Sequence, residues 1–383
     1  MDISKKLNSD NIFIFLFLVL FPFGQIIRIG LLQPVDVVAG LGALFAIIGR
    51  YKEPAIFKHF KTFIFIAAFS WFFSVFFFRQ IEVLYGLLYL IRLLAYFYFF
   101  IYVWNFAGQS KSNKNFLIGS LLMVSLVSAA FGWIQYFSFP TIKPFTVWGW
   151  DDHLFRLVGT FLDPGFLGII IVFGLLTAIY LFFEKENKLY LAMALFLLVS
   201  LAFTYSRASY LAFFAGLFVA FSYFKKLKFF VSAVAVFMAL IFVLPTSGNT
   251  ILKITREFSV LARIDNYRET AVIFKTSPLF GVGYDNLCLA RSKQIGYVNL
   301  NSHSCSGSDA SLLFILATTG VSGLIVFVRL MLAIFKSAGK TVIISSTLTA
   351  LLVHSLFTNS FFYPWVLGYL AILFSLNPDL RRE

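Results

Sequence analysis

The feature that most constrains this chain is a series of apolar blocks, each near 20 residues long, separated by short polar connections. About 20 apolar residues in a helix cross the roughly 30 Å hydrocarbon core of a bilayer. In lipid, only helices and closed barrels satisfy every backbone N–H and C=O. The blocks fall at 12–24, 34–49, 60–78, 81–105, 115–137, 164–183, 189–204, 208–224, 228–245, 309–335, 341–357 and 361–376. They predict an all-α, polytopic membrane protein of about twelve transmembrane helices, forming a single integral membrane domain over 1–383. No small-residue cleavage site follows the first block, so that block is expected to be a retained helix. Residues are 60% apolar, against about 45–50% in globular proteins. The Phe-rich stretches, such as FSWFFSVFFF, suit lipid-facing or packing positions.

Charge placement gives the orientation. Taking alternate connections, one side carries Lys5, Lys6, Arg50, Lys52, Lys58, Lys61, Lys111, Lys114, Lys185, Lys188, Lys225, Lys226, Lys228, Lys336, Lys340, Arg381 and Arg382. The short connections of the other side carry Arg28, Arg79, Lys143, Arg156 and Arg207. Short basic loops stay cytoplasmic. Both termini are therefore expected in the cytoplasm, and 246–308 on the extracytoplasmic face. The net charge of +14 is explained by these anchors, and no basic run is dense enough for a nucleic-acid patch. No nucleic-acid partner is expected. Two arginines stand inside apolar runs, where charge is costly and tends to be functional. Arg329, near a cytoplasmic end, can snorkel. Arg92 sits mid-run and needs either a polar cavity or an acid such as Asp36.

The long polar segment 246–308 lies between the ninth and tenth blocks. It holds Lys253, Arg256, Arg263, Arg268, Lys275, Arg291 and Lys293 against Glu257, Asp265, Glu269 and Asp285. It also holds His303 and both cysteines, Cys288 and Cys305. A disulfide between those two is expected in an oxidising compartment. Leu261, Ile264, Tyr267, Ala271 and Phe274 have helical spacing, so a short amphipathic helix is expected from about Arg263 to Lys275. PLFGVG should then break it.

Three outward patches carry candidate chemistry. FRLVGTFLDPGFLG supplies Arg156 and Asp163. Asp163 before Pro164 also has the ordinary form of an acidic N-cap with Pro at the first helical position. TYSRASYLAFFAG places Arg207 as the only charge of a tight turn. There it either anchors a helix hairpin or holds a positive group at the level of anionic headgroups. The third patch is the long segment, with Arg263, Tyr267 and His303. Asp309 follows close to the next helix, where N-capping is its ordinary role. No Walker loop, H-E-x-x-H or zinc spacing is present, and no metal or cofactor is expected.

In order, RLVGTFLDPG, a short turn with SR, R-x-x-x-Y ahead of SPLFGVG in a long external segment, a histidine and a helix with TTGVSGL resemble the O-antigen ligase and polymerase superfamily. The motifs cover roughly 156–330 and the helix count the whole chain. The resemblance implies a C-type glycosyltransferase-like architecture in the bacterial inner (plasma) membrane. It implies a metal-independent transferase working at the extracytoplasmic face. The donor would be a glycan on undecaprenyl diphosphate, and the acceptor a sugar hydroxyl of a glycan or glycolipid, in surface polysaccharide assembly. His303 matches the family's general base, and Arg207 and Arg263 its diphosphate-binding arginines. Where many members carry Asn after the histidine this chain has SCSGSDAS, leaving Asp309 or a serine for that part.

The residue chemistry agrees. Without a metal, arginine forks can hold a diphosphate leaving group, and a neutral histidine can take a proton from a hydroxyl. The rivals are a polysaccharide or lipid transporter or flippase, and a scaffold without activity. A transporter would be expected to show matching halves with broken helices and several midplane charges. Only Arg92 qualifies.

Overall fold

The structure, a computed structural model, describes residues 11–28, 32–244, 250–296, 305, 307–339 and 341–381. Among them there are α-helices and short 3-10 turns but no strand. Each of the twelve apolar blocks is helical. In order they form α1 (Ile12–Leu20), α2 (Pro34–Ile48), α3 (Phe57–Ser74), α4 (Gln80–Gln109), α5 (Lys111–Ser138), α6 (Pro164–Lys185), α7 (Lys188–Phe203), α8 (Arg207–Tyr223) and α9 (Leu227–Val243). The long polar segment adds α10 (Thr250–Thr276) and α11 (Leu287–Ile295). The chain then continues through α12 (Ser311–Ala338), α13 (Val342–His354) and α14 (Pro364–Ser375). Four helices, α4, α5, α6 and α12, are long and apolar enough to cross a membrane by length and composition. Seven further apolar helices are shorter: α1, α2, α7, α8, α9, α13 and α14.

α6 is the core. Leu167 through Ala178 are buried without a gap, as expected of a helix that is apolar all round. α5, α7, α8 and α13 pack around it. α9 is peripheral, and Phe237 alone of its side chains is buried. Arg92 on α4 finds the partner its position demands: its Nη2 lies 2.8 Å from Asp36 Oδ2 in the first turn of α2. Tyr96 Oη donates to the other carboxylate oxygen at 3.1 Å. A partly buried arginine survives in such a place because pairing and hydrogen bonds offset its desolvation.

The main departure from the sequence reading concerns SPLFGVGYDN. The segment ends α10, as expected, but it does not stay on the surface. It enters the helical bundle and docks into a break in α12. At Gly320 the helix has φ 70° and ψ −170°, a conformation essentially restricted to glycine. There the i→i−4 bonds from Val321 to Ala317 and from Ser322 to Thr318 are lost. Each freed group is taken by the loop. Val282 N–H donates to Ala317 O at 3.0 Å and Gly283 N–H to Thr318 O at 3.1 Å. Val321 N–H donates to Pro278 O at 2.9 Å and Ser322 N–H to Leu279 O at 3.3 Å. Ser70 of α3 closes the junction, with Oγ 2.6 Å from both Phe280 O and Thr318 O. Non-helical backbone within a bundle of apolar helices is tolerated when it is satisfied in this way.

Neither glycine of the junction has room for a side chain. A Cβ on Gly281 (φ +70°) would meet Thr318 C at 2.3 Å, and one on Gly320 would meet Leu279 O at 2.3 Å. Gly281→Ala and Gly320→Ala should each cost about 1–3 kcal/mol from backbone strain alone, and more from the clash with rigid backbone. Thermal unfolding of the purified protein should show both midpoints well below that of Gly296→Ala, a positive-φ site with open space around it. Equal midpoints for all three would contradict the docked loop.

Candidate functional site

The site is assembled from helix ends. Asp163 is the N-cap of α6: its Oδ1 accepts from Gly165 N–H at 2.7 Å and Phe166 N–H at 2.8 Å, and Pro164 occupies the first helical position. Its Oδ2 lies 3.8 Å from His153 Nε2, a partner the sequence did not suggest. Burial alone would raise the Asp163 pKa. The His153 contact, the Phe166 N–H and the nearby charge of Arg156 outweigh it and hold the carboxyl well below its ordinary range.

Arg156 is turned to the adjacent connection. Its Nε donates to Thr204 O and its Nη2 to Tyr205 O, both at 3.0 Å. It thus pins the α7–α8 turn from which Arg207 projects. Arg207 is the first residue of α8 and is exposed, next to the N-cap Ser206, whose side chain accepts from Ser209 N–H.

α10 forms the outer wall. It is longer than the amphipathic helix expected over 263–275 and begins at Thr250. Arg263, Asn266, Tyr267 and Thr270 share one face of it, at the i, i+3, i+4, i+7 spacing. Tyr267 Oη donates to Leu356 O at 2.8 Å, fixing α10 to the α13–α14 connection. Asn266 Oδ1 accepts from Asp309 N–H at 3.0 Å and from Ser308 Oγ at 3.3 Å. Thr270 Oγ1 donates to Ser308 Oγ at 3.2 Å.

Cys288 and Cys305 are joined in a disulfide. Arg291 Nη1 donates to Cys305 O at 2.7 Å, and its Nε lies 3.6 Å from Glu269 Oε2. The segment entering α12 is therefore held by α10 and α11 together. His303 lies outside the described residues, two positions before this clamp.

Asp309 does not cap α12, contrary to its ordinary expectation. Ala310 is the N-cap, with no side-chain bond, because Asn266 draws the Asp309 backbone toward α10. Burial raises the Asp309 pKa, and the positive charges of Arg263 and Arg291 oppose that rise. Burial and the Asp309 charge also raise Tyr267, again opposed by Arg263. Arg263 thus sits within electrostatic reach of both groups. Among the described residues, no three His, Cys, Asp or Glu side chains gather as a metal site.

These elements bring Arg263, Tyr267, Asp309 and Asp163 within electrostatic reach of one another, with Arg207 at the start of α8 and Arg156, from the α5–α6 connection, bonded to the α7–α8 turn. Residues 192–328 match the family model of the O-antigen ligases. The matched region runs from within α7 to within α12. The match includes Arg207, Arg263, Tyr267, Cys288, His303, Cys305 and Asp309, together with the loop docked at Gly320. It points to a membrane glycan ligase or polymerase. Arg156 and Asp163 lie outside the matched region, yet the fold sets them against it. No curated protein matches the chain.

His153, Asn266, Thr270 and Arg291 also hold this site together. Asn266 and Thr270 had a local signal in the sequence, standing on the same helical face as Arg263. His153 had none, because its partner is set by the fold.

Asp163→Ala should destabilise the protein by about 1 kcal/mol or more at neutral pH through loss of the cap, whereas Asp163→Asn should retain the cap. The sign with pH follows from the lowered pKa. The carboxylate's contribution is present above the unfolded value of about 3.9 and is lost as pH falls toward the lower folded value. The melting difference between wild type and Asp163→Ala should therefore shrink below about pH 4. A difference that grows on acidification would contradict this.

Proposed function

We propose that this protein transfers a glycan from undecaprenyl diphosphate to a sugar hydroxyl of an acceptor glycan or glycolipid. The reaction would occur at the extracytoplasmic face of the bacterial inner membrane, with both chain termini cytoplasmic and twelve helices spanning. This assignment rests on one observation: the O-antigen ligase match covers the segment that holds Arg207 and Arg263. The fold supports it by setting Asp309 within electrostatic reach of both Arg263 and Asp163.

Breaking the bond between sugar and diphosphate leaves negative charge on the phosphate oxygens. Guanidinium groups of Arg207 and Arg263 stabilise that charge without a metal, because they stay ionised and match phosphate oxygens in pairs. The acceptor hydroxyl needs a base that is neutral near pH 7, and His303 takes that role. Tyr267 and Asp309 support the acceptor side. Asp163 holds the start of α6, and Arg156 orients the turn that carries Arg207. Discharged undecaprenyl diphosphate leaves laterally into the bilayer.

Arg207→Lys and Arg263→Lys keep charge but lose the paired donors, so each should reduce transfer about 10-fold or more, the loss of one transition-state donor costing roughly 10²–10³. Both should weaken donor binding. His303→Ala should abolish transfer while leaving donor binding near wild type. Measured on purified protein, wild-type transfer by His303→Ala removes the base assignment. Unchanged transfer by both Arg→Ala variants removes the diphosphate clamp.

A further inference from the structure

Beside the residues of the O-antigen ligase match lies a histidine that neither the match nor the proposed reaction uses. His354 is the last residue of α13 and is completely buried. A buried imidazole is costly unless both ring nitrogens are paired. Both are: Nδ1 lies 2.5 Å from Ser360 Oγ, and Nε2 lies 3.2 Å from Ser209 Oγ. Either imidazole tautomer satisfies both contacts, since Ser360 Oγ can also donate to Thr358 O at 3.3 Å when it accepts from Nδ1–H. In the tautomer that runs the proton chain toward α8, Ser360 Oγ donates to Nδ1, Nε2–H donates to Ser209 Oγ, and Ser209 Oγ donates to Ser206 Oγ at 2.9 Å.

What this chain reaches is the point. Ser206 is the N-cap of α8, and Ser209 stands in its first turn, so the two serines bracket Arg207. Ser209 Oγ also lies 3.5 Å from Gly165 O in the first turn of α6, two residues from Asp163. Gly168 makes this approach possible, since a Cβ there would meet Ser209 Oγ at 2.3 Å. On the other side, the connection after His354 is tied outward. Leu356 O accepts from Tyr267, one helical turn from Arg263, and Ser355 O accepts from Ser311 N–H at 2.9 Å at the start of α12. Asp163 and Arg263 both act electrostatically on the ring. One imidazole thus joins the starts of α6 and α8 to the connection that anchors α10.

We propose that His354 is a positioning residue of the transfer site: through Ser209 and Ser206 it fixes the first turn of α8, and so the direction in which Arg207 presents its guanidinium to the donor diphosphate. It rests on the assignment of Arg207 to the donor. Being fully buried, His354 contacts neither donor nor acceptor. Its effect is on donor affinity, and it acts through Arg207.

The test uses the full-length protein in lipid nanodiscs, with undecaprenyl diphosphate as binding probe and glycan transfer as second readout. His354→Gln places its amide where Nε2 was and can reach Ser209. His354→Asn places it where Nδ1 was and reaches Ser360 alone. His354→Leu reaches neither. Donor affinity and KM should stay within about 3-fold of wild type for Gln, and weaken about 10-fold for Asn and Leu, the scale of one lost hydrogen bond in a buried chain. Retained disulfide and melting profile verify folding, and the Gln–Asn comparison stands alone if the Leu variant does not insert. In the Arg207→Lys background, the Asn substitution should add less than about 2-fold, since residues acting as one unit are not additive. Equal affinities for Gln and Asn, or fully additive losses in the double variant, overturn the link from His354 to Arg207. Wild-type donor affinity in Arg207→Lys itself overturns the donor assignment, and the inference falls with it.

Discussion

The rest of the structure depends on one exchange of hydrogen bonds. At Gly320 the helix α12 gives up two of its own bonds, and the loop after α10 replaces both with four. The helix break alone would strand backbone groups among apolar helices, and the loop alone would carry unsatisfied N–H and C=O groups into the bundle. Together they make a junction that is satisfied and rigid. Because α10 leads directly into the loop, the junction fixes the end of α10. Tyr267, Asn266 and Thr270 then hold the face carrying Arg263 against the α13–α14 connection and the entry to α12. A site built on the starts of several helices needs such a clamp, since those ends would otherwise fray.

Much of this fold was legible in the chain, and the reasons are specific. Apolar blocks force helices in lipid regardless of detailed propensity, so their positions followed to within a few residues. Asp163-Pro164 marked the start of α6 because a carboxylate cap and a proline without N–H both fit the first turn. Arg92 required an acid, and Asp36 supplies it. The docked loop was not legible. SPLFGVG read as a local helix stop, and its glycines do end α10, but their partner is a second glycine about 40 residues on in TTGVSG. Nothing in either motif alone reveals the pairing.

The site was legible in its charges and not in its neutral groups. Arg263 and Asp309 stood out as charges in an otherwise apolar protein. Asn266, Thr270 and Ser308, which place them, look like ordinary surface residues. Asp309 was expected to cap α12, yet a single contact to Asn266 redirects its backbone. His354 was hidden in the run LTALLVHSLF, where one polar residue does not disturb the apolar period. Its importance comes from Ser360, which the turn after α13 brings back to it, and from Ser209, which only the packing of α13 against α8 brings to it.

A transferase and a transporter of lipid-linked glycan would share the membrane setting, the arginines and the donor. They differ in whether a covalent bond is exchanged. The decisive measurement is made on the reconstituted protein in liposomes with no ion gradient and with chelator present, supplied with radiolabelled glycan on undecaprenyl diphosphate and a glycan acceptor. Transfer of label to the acceptor, with stoichiometric release of undecaprenyl diphosphate, is the result this account predicts. Label that crosses the bilayer while still attached to its lipid, with no acceptor product formed, would contradict it.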